Sequence, residues 1–218
     1  RDLCLRVHAG ECFGFLGVNG AGKSTTFSML TGATVPSAGD AVLYGLSVRR
    51  DQAALRRVVG YCPQHDPLLE LMTARETLVM FARLKNLPPE AIPSTVDALL
   101  EKVTLTPYAD RPCGSYSGGN KRKLSLAIAL VGDPAVVFLD EPTTGVDSAS
   151  AAMMMRFLKQ IAADRSIAVL CTIHQPPASV FAGFDDNLIL AAGRPGGILL
   201  LPAGVVGLVG IAPVAHCV

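Results

Sequence analysis

Short apolar runs alternate along this chain with stretches in which apolar residues recur every three or four positions. Residues 11–16 (ECFGFL) form an apolar run ending at Gly17, and Lys23 onward (KSTTFSMLTG) reads as a helix stopped by Gly32. That is a strand, a glycine loop and a helix. The pattern predicts a second strand at 41–44, a short polar helix near 51–57, and a strand at 58–62 ending at Pro63-Gln64. Over 73–86, Thr73 and Glu76 stand at capping-box spacing, an apolar face runs through Leu78, Phe81, Ala82 and Leu84, and Pro88-Pro89 closes the helix. Helical patterning, including a segment at 90–103, continues to about residue 131 with no strand. Strand patterning returns at 135–139. A helix at about 148–163, a buried strand at 167–172, a short helix after Pro176-Pro177 and a strand near 188–190 follow. The expected architecture is α/β, a parallel sheet interrupted by a helical insertion at about 66–120, without internal repeats.

Composition narrows this further. The 218 residues are long enough for one substantial core, and half of them are hydrophobic with only 17% charged, which excludes intrinsic disorder and a disulfide-stapled miniprotein. A formal charge of +1 gives no bulk electrostatic reason to expect a nucleic-acid partner. Six scattered cysteines (4, 12, 62, 113, 171 and 217) form no C-x-x-C pair, so reduced thiols are expected rather than zinc or redox chemistry. The start, Arg1-Asp2-Leu3-Cys4, has neither an initiator methionine nor a signal pattern, as expected of a piece of a longer chain. From Pro195 to the end there is no Asp, Glu, Lys or Arg, yet Pro195, Pro202, Pro213 and five glycines break the run. A loose tail, an edge strand or an artefactual end is expected there ahead of a membrane span.

Three segments carry candidate chemistry. Gly17-Val18-Asn19-Gly20-Ala21-Gly22-Lys23-Ser24 fits G-x-x-x-x-G-K-[ST] between a strand and a helix. Backbone N–H groups and the helix N-terminus can cradle a polyphosphate there, Lys23 can reach its outer phosphates, and the Ser24 hydroxyl is a hard ligand for magnesium. A bare glycine turn does not require lysine followed by serine. Residues 136–141 (VVFLDE) deliver two carboxylates at the C-terminal end of an apolar strand, in the manner of a Walker B segment. Alternation along the strand lets Asp140 serve magnesium while Glu141 acts as general base toward water. Ser117-Gly118-Gly119-Asn120 opens a helix that carries Leu124, Ala127, Ile128 and Val131 on one face. With Lys121, Arg122 and Lys123 behind it, this is expected to be a second anion site.

Taken together, Walker A at 17–24, Tyr116-Ser117-Gly118-Gly119-Asn120 about twenty residues before the carboxylate pair, and a lone Gln64 and His174 resemble the nucleotide-binding domain of ABC transporters. The likeness spans roughly residues 3–193. Segments 10–32, 61–66 and 116–129 most resemble the A subfamily, commonly lipid exporters, in which Asn120 often replaces the usual signature glutamine. Residues 172–177 (TIHQPP), Val180-Phe181 and Phe184-Asp185 resemble the G subfamily instead. The resemblance implies a P-loop NTPase fold: a mainly parallel central sheet flanked by helices, with a core at about 1–65 and 121–195, a helical subdomain at about 66–120, and a tail at 196–218.

It also implies roles. Asn19, Gly20, Ala21, Gly22, Lys23, Ser24, Thr25 and Thr26 would hold ATP with Mg2+, and Gln64 would be the Q-loop residue near magnesium and the attacking water. His174 would be the switch histidine, Asp147 the D-loop aspartate, and Ser117–Asn120 the signature that closes over the ATP of a second nucleotide-binding domain. The adenine-stacking aromatic residue would lie upstream of residue 1. Transmembrane domains would be partners, with this domain membrane-associated on the cytoplasmic face. A soluble ABC-type ATPase and an inactive truncated copy are the alternative readings.

Overall fold

A computed structural model describes residue 3 and residues 5–144, 146–174, 178–191 and 194–195. The tail at 196–218, Cys4, Cys217 and Gln175-Pro176-Pro177 lie outside the described residues. The chain forms β1 (Cys12–Gly17), α1 (Lys23–Leu30), β2 (Val42–Leu43), β3 (Leu46–Ser47), α2 (Gln52–Val58), β4 (Val59–Cys62), α3 (Ala74–Leu84) and α4 (Ile92–Lys102). There follow α5 (Gly118–Ala129), β5 (Val136–Asp140), α6 (Ser148–Arg165), β6 (Ala168–Ile173), α7 (Ala178–Phe181), β7 (Asp186–Ala191) and β8 (Arg194–Pro195). The main sheet has the order β4-β5-β6-β1-β7-β8, parallel except for β8.

Strand alternation divides the core into two layers. On one face Phe13, Phe15, Phe138 and Leu170 receive Phe27 of α1, whose ring stacks on Phe15 at 6.1 Å and meets Phe138 edge-on at 5.1 Å. On the other, Val137, Leu139, Val169 and Ile173 pack with the buried residues of α3 to α6. No helix among the described residues is long and apolar enough to cross a membrane. Cys12, Cys62, Cys113 and Cys171 are buried free thiols, and burial pushes Cys62 up to about 11, which removes it as a nucleophile at neutral pH.

Several expectations need correction. The strand expected at 41–44 is a two-residue edge, and it pairs with β3 in a separate antiparallel hairpin rather than in the main sheet. In α3 the capping box of Thr73 and Glu76 is present, but the helix ends at Leu84, well before the prolines. Leu84 is 67% exposed, so the covered apolar face ends at Ala82, two residues earlier than its spacing implies. The stop is the left-handed turn at Asn86 (φ +57), where the Leu87 N–H donates back to the Ala82 carbonyl at 3.0 Å; the C-cap Lys85 donates its Nζ to the carbonyls of Arg56 (2.7 Å) and Val59 (2.8 Å), tying the insertion to the edge of the sheet. Helix α5 is not one-sided; every residue from Leu124 to Ala129 is buried, because the helix lies between the sheet and α3 and α4. It sits so close to β4 that a Cβ on Gly60 would come within 2.0 Å of the Ala129 carbonyl oxygen.

Candidate functional site at the C-terminal edge of the sheet

β1, β4, β5 and β6 all end at one edge, where open parallel sheets take their ligands. After β1 the chain turns through Gly20 (φ +78) and Gly22 (φ +99), left-handed positions that favour glycine. Gly17 is glycine for space: a Cβ there would meet the Leu190 carbonyl oxygen at 2.7 Å. Gly22 N-caps α1 without a side-chain bond, and no acidic residue stands in the first turn, so the positive end of the helix is uncompensated. Lys23 is only 5% exposed, and its Nζ donates to the carbonyls of Gly17 (2.7 Å) and Val18 (3.4 Å). No carboxylate pairs with it among the described residues. A buried ammonium without a counter-charge is costly unless an anion shares the site. Asn19, Ser24 and Thr25 are exposed around this loop, Ala21 is buried, and Thr26 donates its hydroxyl to the Gly22 carbonyl at 2.9 Å.

The two carboxylates part company at the end of β5. Asp140 is 5% exposed and accepts a hydrogen bond from the hydroxyl of Thr172 on the neighbouring β6. Glu141, half-buried, turns away at φ +47, a left-handed conformation that costs a non-glycine residue about 1–2 kcal/mol. Its N–H donates to Thr172 Oγ1 (2.9 Å) and to the Thr172 carbonyl (3.1 Å), which hold the turn. Gln64 Nε2, in the loop after β4, donates to Glu141 Oε2 at 3.1 Å, and Thr144 Oγ1 donates to the same oxygen at 2.9 Å. The chain thus brings together an amide and a carboxylate that are 77 positions apart. His174 is half-buried at the bend just past β6, where Ile173 pairs with Leu16 and Thr172 with Asp140.

The remaining site residues lie at two other helix starts. Asp147 N-caps α6, accepting from the N–H groups of Ala149 (3.1 Å) and Ser150 (2.9 Å), and the bonds from Ser150 hold its carboxyl below the usual range. Ser117 N-caps α5, accepting from Asn120 N at 3.3 Å. Gly118 and Gly119 have open space where a Cβ would point, so the backbone at this helix start is accessible from outside.

The side chains of the basic run behind it are engaged elsewhere. Lys121 pairs with Glu70 at 3.5 Å, Lys123 donates to the Thr104 hydroxyl at 2.8 Å, and Arg122 turns inward to 4% exposure. The reason is the burial of α5, which leaves Arg122 no route to solvent. Arg122, with its ion-pair partner Asp66, and Thr172 are the residues that sequence reasoning missed. Only Thr172 left a signal, a polar residue in an apolar strand two places before His174.

Comparison with known proteins identifies the family. The family described as ABC transporter matches residues 1–144. ATP-binding cassette sub-family A member 7 of Mus musculus is 52% identical over 168 residues, 77% of this chain and 8% of that protein. Phospholipid-transporting ATPase ABCA7 of Homo sapiens is 59% identical over 145 residues, 66% of this chain and 7% of that protein. The chain therefore spans less than a tenth of the length of these relatives. Both of these relatives are of the A subfamily, as segments 10–32, 61–66 and 116–129 imply. Among solved structures, cbiO1 from Clostridium perfringens, part of the ABC transporter complex cbiONQ, aligns with TM-score 0.80 and 26% identity over 91% of this chain and 79% of that one. A dimeric, post-hydrolysis ATP-binding cassette bound to ADP and Pi aligns with TM-score 0.77 and 23% identity, covering 87% of this chain and 84% of that one, and shares the fold.

Proposed function

This chain belongs to the ABC transporter family as an ATP-binding domain, and from that premise we propose that it hydrolyses ATP to drive phospholipid movement by transmembrane domains of a larger protein. The observation that carries the reading is the buried Lys23 ammonium, without a carboxylate partner among the described residues, at the uncapped start of α1. An ATP polyphosphate supplies the missing negative charge, and residues 19–26 would hold it.

Magnesium fits the donor set: the Ser24 hydroxyl, the Asp140 carboxylate and the Gln64 amide are hard oxygen donors of the kind that leave room for phosphate and water. When bound, the ion would neutralise charge building on the transferred phosphoryl group. Glu141 would orient and deprotonate the attacking water, with Gln64 fixing the carboxylate and His174 completing the site. Phosphoryl transfer needs mainly positioning and charge neutralisation, which these groups supply without covalent chemistry. The N–H groups of Gly118 and Gly119 would cap the ATP of a second nucleotide-binding domain, and Asp147 would lie at the junction. The A-subfamily relatives that carry "phospholipid-transporting" in their names support the lipid reading and a place at a membrane.

Glu141→Gln is expected to retain ATP binding and lose turnover by at least about a hundredfold, whereas Lys23→Ala weakens nucleotide binding itself. Paired binding and phosphate-release assays check both. An unimpaired rate in Glu141→Gln, or unchanged affinity in Lys23→Ala, would refute the assigned role.

A further inference from the structure

We propose that Arg122 is a positioning residue for hydrolysis: one guanidinium holds the Gln64 loop and the Glu141 turn in a fixed relation to the helix that begins at Ser117. The inference rests on the reading of Glu141 and Gln64 given above. Arg122 lies two residues beyond Asn120, the fifth residue of α5. Its Nη1 donates to the carbonyls of Pro63 (2.6 Å) and Gln64 (3.5 Å) and to Asp66 Oδ1 (3.2 Å). Its Nη2 donates to the Asp140 carbonyl (2.7 Å) and its Nε to the Pro142 carbonyl (3.2 Å). Asp66 is fixed in turn by the Ser125 hydroxyl at 2.7 Å, one turn further along α5.

The direction of these bonds matters more than their number. Asp140 and Pro142 bracket Glu141, so the carbonyls on either side of the left-handed residue are gripped by one planar group. The other side of that group grips the carbonyls before and at Gln64. The two residues whose side chains meet at 3.1 Å are therefore anchored at their backbones by the same guanidinium. Burying an ion pair is a poor way to gain stability, and well-packed apolar residues often serve as well. A rigid five-donor fork supplies geometry that they do not. Lysine, with a single ammonium on a flexible stem, cannot hold both sides at once.

The test compares Arg122→Lys and Asp66→Asn with wild type in the full chain. It reads melting temperature, affinity for a fluorescent ATP analogue, kcat, KM, and backbone amide exchange without nucleotide. For Arg122→Lys we expect affinity and KM within about twofold of wild type and kcat lower by about tenfold or more, since small misplacements at a reacting centre cost that much. Amide exchange should rise at residues 64–66 and 141–144 and stay unchanged at 17–26. Asp66→Asn keeps the carbonyl bonds and should lower kcat less, with faster exchange confined to 64–66. Wild-type kcat and exchange in both variants would overturn the proposal, as would a parallel fall in affinity, kcat and melting temperature. If Arg122→Lys does not fold, Asp66→Asn decides alone. The exchange arm needs no ATPase activity, so an inactive wild type would refute the hydrolytic reading while the exchange result still judged the hold of Arg122.

Discussion

A single carboxylate at the far end of β1 shows how finely residue-scale chemistry is set. Glu11 is buried just before the strand; its Oε2 accepts from His8 N at 2.7 Å, while its Oε1 has no partner among the described residues. Burial is the main cause that raises its pKa, with Asp186 and Asp185 adding repulsion and the His8 N–H pulling the other way. A carboxyl whose folded pKa lies above its unfolded one stabilises most when protonated, and that contribution is lost as pH rises through the folded value. Glu11→Gln should therefore raise stability at pH 7 and bring little gain near pH 4, which melting curves at the two pH values would check. An equal effect at both would mean that charge is not the cause. Lys23, Asp140, Glu141 and Ser117 could be read from the sequence because their chemistry is carried by local spacing. Arg122 could not, because its partners lie 18 to 59 positions away and a basic run looks the same whether it faces water or a core; Thr172, whose partner lies 32 positions away, left only a polar residue in an apolar strand.

At the scale of elements, α1 is placed by one ring. Phe27 is the only large apolar side chain of that helix that is fully buried, and it seats on Phe15 and Phe138, the strands that carry the glycine loop and the two carboxylates. Phe27→Ala should cost about 3–5 kcal/mol and also weaken nucleotide binding. Leu158→Ala, on α6 against the other face, should cost about 2–5 kcal/mol and leave binding intact. Denaturant unfolding alongside nucleotide titration separates the two, and equal loss of affinity in both would reduce Phe27 to ordinary core. The same scale explains what patterning got wrong. The period in α3 and α5 announced helices, but how much of each is covered depends on what packs against it. Leu84 lost its cover and α5 gained a second one. The β2–β3 hairpin is too short for alternation to identify its partner.

At the scale of the whole molecule, one chain presents a phosphate loop at the sheet edge and an open helix start at Ser117 on α5. If two copies face each other, each site takes one part from either copy, as a two-fold arrangement requires. Lys23→Ala lacks the first part and Ser117→Arg blocks the second, so each alone should be inactive. A mixture in equal amounts should recover about a quarter of wild-type ATPase, because half the pairs are mixed and each holds one complete site. A mixture as inactive as its components would argue against shared sites. The α/β class and the mainly parallel sheet at this scale followed from the alternation of strand and helix patterns; the order of the strands did not, and the shared site rests on the resemblance.

The left-handed backbone at Glu141 bears on whether this sequence is a decaying remnant. Glycine would occupy φ +47 with less strain, so once selection on chemistry relaxed, a drift from glutamate to glycine there would meet little resistance from the fold. A copy that no longer hydrolysed ATP would be free to shed that strain. This chain keeps glutamate there, with the Thr172 contacts that support the turn, and so bears a backbone cost that glycine would not.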